Sequence, residues 1–219
     1  MQRRLKLLCF APMERLRGKF VVLDGPEGCG KSTQIQLLGR RLAEQGLAVK
    51  TFRDPGATRI GERIRDILLD PVHEEMAMRC EMLLYMAARA QMMSQSILPA
   101  LRAGEVVLCD RFVSSTLAYQ LGGEGLDARE IRAVADIAIQ HRWPDLTIIL
   151  DMPAEQSLAR VQREKDRIER RPLEYHQRVR ANFLAQAEAD PQRYRVVAAH
   201  RPVEAVSADV WRAVESMGC

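Results

Sequence analysis

Asparagine and paired cysteines are what this 219-residue sequence most clearly lacks. The single asparagine, Asn182, is followed by Phe183, so the chain has no Asn-Lys-x-Asp loop and is excluded from the GTPases that read guanine through that motif. The five cysteines include no Cys-x-x-Cys pair, which argues against a disulfide framework or a zinc site. This cysteine usage indicates a reducing compartment, and we expect a cytoplasmic protein.

Long apolar runs and concentrated positive charge are also missing. The sequence contains no stretch of about eighteen apolar residues, the length needed to span a bilayer. Its content of 47% hydrophobic and 28% charged residues is ordinary for a soluble globular protein. The net charge of +4 is spread along the chain, so neither a membrane nor a nucleic acid is expected as a partner. The apolar run from Leu5 to Phe10 is too short for a secretory signal. We expect a flexible extension over residues 1–17, or a start at Met13.

Only five of the 33 basic residues are lysines, and one of them, Lys31, belongs to the most specific motif of the chain. Gly25 to Ser32 reads GPEGCGKS, which fits G-x-x-x-x-G-K-[ST] without a mismatch. An apolar β-type run, Phe20 to Leu23, precedes this motif, and an amphipathic helical pattern, Thr33 to Gln45, follows it. The flanks therefore predict a P-loop and not a chance glycine-rich turn.

A P-loop predicts a bound nucleotide and its metal ion. Backbone N–H groups at the helix N-terminus cradle the phosphates, Lys31 supplies a cation and the Ser32 hydroxyl binds Mg²⁺. For Cys29 we favour a small loop-filling side chain over a reactive thiolate. The expected ligand is Mg-ATP or Mg-GTP, bound by Gly25, Pro26, Glu27, Gly28, Cys29, Gly30, Lys31, Ser32 and Thr33.

Strands and helices alternate along the rest of the chain. Apolar β-type runs lie at 48–52, 105–109, 147–150 and 195–199. Helical patterns lie at 60–69, 74–102, 114–121, 128–141 and 203–217, another helix begins at Pro153, and Gly122 to Gly125 form a turn. The pattern predicts a single α/β domain of the P-loop NTPase fold: a doubly wound five-stranded parallel sheet with helices on both faces. The methionines of 74–102 indicate either core filler or a dimer face.

The residues after the third strand distinguish among P-loop proteins. Transport and motor ATPases follow the metal-binding carboxylate with a second acid, whereas here Asp110 is followed by Arg111. An arginine beside that carboxylate indicates a second bound phosphate, and hence a phosphorylated acceptor. A structural salt bridge is the alternative interpretation of Arg111.

Five motifs in order resemble those of the bacterial thymidylate kinases: GPEGCGKST, FRDPGATRIGERIRDILLD (52–70), LLYMAARAQ (83–91), DRFVSSTLAYQ (110–120) and PDLTIILD (144–151). The resemblance covers nearly the whole chain. It implies transfer of the ATP γ-phosphate to dTMP with Mg²⁺, giving dTDP and ADP in dTTP biosynthesis. It also implies a homodimer, and one nucleoside monophosphate kinase domain over residues 18–219.

The same resemblance implies roles for residues of the acceptor pocket. Glu27 would accept a hydrogen bond from the 3′-hydroxyl of dTMP, while Tyr119 would crowd the 2′ position and disfavour ribose. Tyr85 would stack on thymine. The phosphate would be held by Arg53 and Arg111 with Arg65 nearby, and the base edge by Arg89 and Gln120 with Thr116 beside them.

A lid is implied as well. Family members divide by whether an arginine stands in the P-loop; Gly28 occupies that position here, so we expect the cation to come from a lid at about 160–171. Arg160, Arg163 and Arg167 are the candidates, and a solvated helix face is the alternative. Asp110 would orient magnesium-bound water and also hold Arg111. The expected catalytic residues are Lys31, Asp110, Arg111, Arg163 and Arg167, with Ser32 and Asp110 at the metal.

Two departures from the family pattern concern the turn beside the acceptor phosphate. Asp54 stands where the family usually has Glu, and Ala57 where it has a second glycine. Other interpretations also stay open: Tyr85 as ordinary core, and Arg89 paired with a helix neighbour such as Glu81 or solvated. A kinase for another nucleoside monophosphate and a non-catalytic nucleotide-binding module are the alternative functions.

Overall fold

A parallel sheet organises the residues that the computed structural model describes, which are 14–121 and 125–217. Its five strands are β1 (Phe20–Asp24), β2 (Val49–Arg53), β3 (Val106–Asp110), β4 (Leu146–Asp151) and β5 (Tyr194–Ala198). They lie in the order β2-β3-β1-β4-β5, and each neighbouring pair is parallel. Strands β2 and β3 lie on one side of β1, and β4 and β5 lie on the other. Where the strand order changes side in this way, a crevice forms at the carboxyl ends of the strands. The predicted fold class is confirmed.

Helices connect the strands and cover the sheet. They are α1 (Lys31–Glu44), α2 (Arg59–Leu69), α3 (Met78–Met92), α4 (Leu98–Arg102), α5 (Val113–Tyr119), α6 (Ala128–Ala138), α7 (Ala154–Ala159), α8 (Leu173–Ala189) and α9 (Val203–Glu215). Within residues 14–121 and 125–217, no helix combines the length and the apolar character needed to cross a membrane.

The core lies on both faces of the sheet because every residue of β1 is buried. Successive strand residues point to opposite faces. Val21 and Leu23 join a cluster with α1 and α9, while Phe20 and Val22 join a second cluster with α3 and α6. This double burial fixes the position of the loop that follows β1.

The predicted helix over 74–102 is wrong as a single element. Helix α3 begins at Met78, and a π-helical turn over Met93–Ile97 separates it from α4. Pro99 occupies the first turn of α4; it has no N–H to donate to the carbonyl four residues earlier, so the regular helix cannot continue through it. The alternative of core filler is confirmed for Met82, Met86, Met92 and Met93, which are buried.

The other helices and strands begin or end within a few residues of their predicted boundaries, and the N-terminal segment and the lid differ from prediction. Leu16 is 1% exposed and belongs to the core, so the packed part of the chain begins before the predicted boundary at residue 18. Most of the predicted extension and of the Gly122 to Gly125 turn lies outside the described residues. Residues 160–171 form turns and irregular backbone, not the solvated helix face given as the alternative.

Candidate active site

The P-loop connects β1 to α1 and closes tightly over its own backbone. A Cβ added to Gly25 (φ 134°) would lie 2.5 Å from the Leu150 carbonyl oxygen, and one added to Gly28 (φ 69°) would lie 2.4 Å from that of Ser157. Both positions therefore require glycine. The arginine that some family members carry at the position of Gly28 does not fit this arrangement.

Lys31 and Ser32 open α1 with their side chains turned in different directions. The Lys31 ammonium donates to the carbonyl oxygens of Gly25 (3.0 Å) and Pro26 (2.7 Å). The exposed Ser32 hydroxyl donates to Asp110 Oδ2 at 3.0 Å. Cys29 is buried, and burial raises the pKa of its thiol, in agreement with a loop-filling side chain and not with a thiolate.

Ser32 and Asp110 together fit a magnesium ion. Mg²⁺ prefers hard oxygen ligands and usually retains several waters, so one hydroxyl, one carboxylate and the phosphates of a nucleotide suffice. No group of three or more His, Cys, Asp or Glu suited to a metal occurs within the described part of the chain. A closed all-protein metal cage is therefore not seen among these residues, while a nucleotide-bound metal fits them.

Arg111 follows β3 in a left-handed conformation (φ 67°) that turns its guanidinium toward the P-loop. Arg111 donates to Glu27 Oε1 at 3.0 Å and to the Gly25 carbonyl oxygen at 3.0 Å, and it lies 3.4 Å from Asp24 Oδ1. The expectation that Asp110 holds Arg111 is not supported by a direct contact, although the Asp110 charge also stabilises the Arg111 cation. Burial opposes its charge, yet the surrounding Tyr119, Glu27 and Asp24 raise the pKa of Arg111 well above the ordinary value. The guanidinium is thus a fixed cation at the carboxyl edge of the sheet.

Glu27 is the anionic counterpart of that cation. Its Oε1 accepts hydrogen bonds from Arg111 and from the Tyr119 hydroxyl, the latter at 2.5 Å. Burial alone would raise its pKa, but the charges of Arg111 and Lys31 together with the hydrogen bonds to the carboxylate lower it. Its Oε2 is buried and receives no hydrogen bond from a described residue. One oxygen of an ionised carboxylate is therefore left to accept a hydrogen bond.

Arg89 is completely buried and donates mainly to groups on other elements. It pairs with Asp54 at 2.5 Å, with both side chains 1% exposed, and it donates to the Phe112 carbonyl oxygen and, more weakly, to Thr116. The alternative interpretation that paired Arg89 with Glu81 is wrong. Asp54, one of the two departures from the family pattern, thus orients Arg89 beneath the pocket.

The turn at Ala57 keeps the conformation that suits glycine, with φ 61°. Its N–H donates to Glu62 Oε1 at 3.0 Å, and Thr58 caps α2 by accepting from the Gly61 N–H at 2.9 Å. This turn places Arg53 and Arg65 on one side of the cleft. Burial and the neighbouring Arg53 charge lower the pKa of Arg65. Two guanidinium groups that repel each other in this way would be stabilised by a bound anion.

One cleft of about 630 Å³ brings most of the predicted residues together. It joins the P-loop to the acceptor side and to the lid. The predicted residues that line it are Glu27, Gly28, Lys31, Ser32, Arg53, Asp54, Arg65, Tyr85, Arg89, Asp110, Arg111, Thr116, Tyr119, Gln120, Arg160 and Arg163. Of the described residues that were predicted, Gly25, Pro26, Cys29, Gly30, Thr33 and Arg167 are not in its lining.

Two of the three candidate lid arginines, Arg163 and Arg167, lie in different surroundings. Arg163 is 62% exposed and pairs with Glu169 at 2.7 Å. Arg167, by contrast, is buried: it donates to the Leu68 carbonyl oxygen at 2.9 Å and to Glu81 Oε2 at 2.5 Å. The expectation that Arg167 closes over ATP is not supported by this position, because its donors are bound to α2 and α3.

Three buried polar residues that lie next to residues of the cleft lining were not predicted. Asp24, at the end of β1, accepts from the Ser114 and Ser115 hydroxyls at 2.6 and 2.8 Å; its place at a strand carboxyl end was an available signal. His176 on α8 is 2% exposed and lies 3.8 Å from Glu27 Oε2. Glu81 is fully buried on α3. No motif marks either of the last two.

Comparisons of the sequence and the structure with known proteins all point to one family. The family model for thymidylate kinase matches residues 23–210. A thymidylate kinase of Pelotomaculum thermopropionicum is 48% identical over 205 residues, which is 92% of this chain and 95% of that protein. One from Alcanivorax borkumensis is 43% identical over 92% of this chain and 98% of its own length. The crystal structure of thymidylate kinase from Ehrlichia chaffeensis, 28% identical, superposes with a TM-score of 0.72 over 90% of this chain and 98% of that one.

Proposed function

The chain belongs to the thymidylate kinase family, and on that basis we propose that it transfers the γ-phosphate of ATP to dTMP, giving dTDP and ADP. One observation carries the proposal. The P-loop cation and a separate set of acceptor-side arginines, Arg53, Arg65 and Arg111, line the same cleft. Two polyanions can therefore be held against each other, which is the requirement for phosphoryl transfer between them.

No general base is needed for the reaction. The acceptor is a phosphate monoester whose second pKa is about 6, so its oxygen is already an anionic nucleophile at neutral pH. The obstacle is repulsion between this anion and the triphosphate. Lys31 on the donor side and Arg111 on the acceptor side would spread the negative charge and hold the reacting oxygens in line.

Ser32 and Asp110 are the residues that would hold Mg²⁺. The ion, when bound, neutralises charge on the transferring phosphates. The chain's own contribution is to fix these two oxygens 3.0 Å apart at the P-loop.

Other side chains would orient the acceptor nucleotide. The unpartnered Glu27 Oε2 supports a role in accepting a hydrogen bond from the 3′-hydroxyl. Tyr119, held by its hydrogen bond to Glu27, would crowd the 2′ position. Tyr85 lines the cleft and would stack on the base, with Arg89, Thr116 and Gln120 around the base edge.

The lid role is proposed for Arg160 and Arg163, since both line the cleft while the donors of Arg167 are bound elsewhere. We further propose a cytoplasmic homodimer. Exposed apolar side chains on the packed pair α2 and α3, namely Ile60, Ile67 and Leu83, support a dimer face.

Steady-state ADP release from Mg-ATP, measured separately with dTMP, dUMP, UMP, CMP, AMP and GMP, tests the proposal. We expect a strong preference for dTMP. A preference for another monophosphate would keep the kinase chemistry and reassign the pocket residues. ATP binding without turnover of any acceptor would instead favour a non-catalytic nucleotide-binding module.

A further inference from the structure

Glu81 is a fully buried carboxylate at the meeting point of three segments. Its Oε2 accepts from Arg167 at 2.5 Å and from Arg171 at 2.9 Å, both at the end of the lid segment. Its Oε1 accepts from Gln120 Nε2 at 2.7 Å, just after α5. Two guanidinium groups compensate its charge, as a buried carboxylate requires. Both carboxylate oxygens are therefore occupied.

This contact determines how the Gln120 side chain is turned. A carboxylate with both oxygens engaged by donors can only accept hydrogen bonds, so the group of Gln120 that faces it must be the NH₂ group. The carbonyl oxygen, Oε1, then points the other way. Gln120 lines the cleft, and no donor among residues 14–121 and 125–217 reaches that oxygen.

An acceptor fixed in this direction distinguishes between pyrimidines. Thymine and uracil carry an N3–H donor beside the O4 acceptor, whereas cytosine carries an N3 acceptor beside an N4 amino donor. A freely rotating glutamine amide could serve either pattern by turning over. A glutamine amide whose NH₂ group is bound to a carboxylate offers the base only its carbonyl oxygen. That oxygen attracts the N3–H of thymine or uracil and repels the N3 lone pair of cytosine.

We propose that Glu81 is a positioning residue that locks the Gln120 amide with its carbonyl oxygen toward the acceptor base, and thereby selects an imide N–H over a ring-nitrogen acceptor. The proposal rests on the proposed function, because it assigns specificity to the same pocket. It gives Glu81 no contact with substrate. Arg167 and Arg171 act as the supports that keep the buried carboxylate in place.

The test is the ratio of kcat/KM for dTMP to kcat/KM for dCMP in the wild type and in Glu81→Gln. The substituted amide can either donate to or accept from Gln120, so the lock is lost and the ratio is expected to fall about tenfold or more. The ratio of dTMP to dUMP should stay unchanged, because both bases present the same imide edge. A general loss of packing would instead lower all three activities together.

Two further variants isolate the effect. In a Gln120→Leu background, Glu81→Gln should change the dTMP-to-dCMP ratio no further. Asp145→Asn is the matched control: it removes a part-buried carboxylate bound to Lys19 and Arg142 at the opposite edge of the sheet, and the ratio should keep its wild-type value.

A folded Glu81→Gln enzyme with an unchanged ratio would overturn the proposal. If that variant does not fold by circular dichroism, Glu81→Asp decides instead, since it keeps the charge and shortens the reach to Gln120 by one methylene. A wild-type ratio in folded Glu81→Asp would then overturn it. Absence of dTMP turnover in the wild type would contradict the proposed function itself, which separates the two failures.

Discussion

The Lys31 side chain is held by the P-loop and is the cation proposed to bind the phosphates of ATP. Its ammonium is held by two P-loop carbonyl oxygens, at 3.0 and 2.7 Å, so the charge is fixed where the phosphates of ATP would bind. Fixed charge is effective in catalysis because no reorganisation is needed when the transition state forms.

We expect Lys31→Ala to lower kcat by about 10²- to 10³-fold or more, because a preorganised cation at the transferring phosphate is lost. The fold should survive, as judged by circular dichroism. Lys50→Ala, at an exposed lysine on the edge strand β2, is the control and should keep wild-type kcat. Unchanged turnover in Lys31→Ala would contradict the assigned chemistry.

His176 links stability to pH. Burial lowers its pKa from the ordinary 6.5, although the Glu27 charge opposes this. Because the unfolded chain binds this proton more readily than the folded one, the stabilisation is fully present above pH 6.5 and is lost as the pH falls below it.

The expected result is a urea midpoint that decreases between pH 7.5 and pH 5.5 in the wild type, and decreases less in His176→Gln. Asp and Glu side chains are largely ionised throughout this range in the unfolded chain, so the difference between the two proteins reports the histidine. Identical pH dependence in both proteins would mean that His176 is not buried in its neutral form.

At the scale of the element, the lid segment is anchored by one arginine and presents others to the cleft. Arg167 fastens the segment to α2 and α3 through the Leu68 carbonyl oxygen and Glu81. Arg163 is exposed and pairs with Glu169 within the segment. Two arginines four residues apart therefore differ in role: Arg167 anchors the segment, and Arg163 lines the cleft.

Arg167→Ala is expected to lower the free energy of unfolding by about 1–3 kcal/mol, because the buried Glu81 carboxylate loses one of its two arginine partners and keeps Arg171. Arg163→Ala should cost less than about 1 kcal/mol, since it is exposed, but should lower kcat by about 10²-fold. Urea unfolding and steady-state kinetics on both variants check this. Normal stability with lost activity in Arg167→Ala would restore the catalytic role first expected for it.

At the scale of the whole molecule, the helical pair α2 and α3 leaves apolar surface unburied. Ile60, Ile67 and Leu83 are 51%, 43% and 53% exposed. Ile60 and Ile67 are seven residues apart and so share one face of α2, and α2 packs against α3, which carries Leu83. Exposed apolar side chains that form a patch indicate an interface. We therefore place the proposed dimer contact there.

Sedimentation velocity is expected to show a dimer for the wild type and a monomer for Ile67→Glu, because a charge buried in an apolar interface is costly. Ile137→Glu alters an apolar side chain that is 79% exposed on α6 and should leave the dimer intact. A monomeric wild type, or dissociation in both variants alike, would contradict this placement.

Local chemistry allowed much of the architecture to be predicted. Five predicted runs became β1 to β5. The three central strands, β1, β3 and β4, are buried on both faces and therefore apolar almost throughout, whereas the edge strands β2 and β5 are partly exposed. The 74–102 helix was predicted as one element because periodicity does not register the missing N–H of Pro99, which is followed by a break into α3, a π-helical turn and α4. Side-chain pairing was harder to predict from the sequence, because partners such as Arg89 and Asp54 are 35 positions apart.

The sequence by itself determined the P-loop, the strand ends that carry Asp110 and Arg111, and the residue types that surround the cleft. These follow from local pattern and from the rule that parallel strands present their carboxyl ends at one edge. Only the tertiary structure decided which charged groups are free and which are committed. Glu81 meets Arg167 across 86 positions of sequence, and such a buried pair forms because desolvated charges must find partners wherever packing brings them together, which no local period encodes.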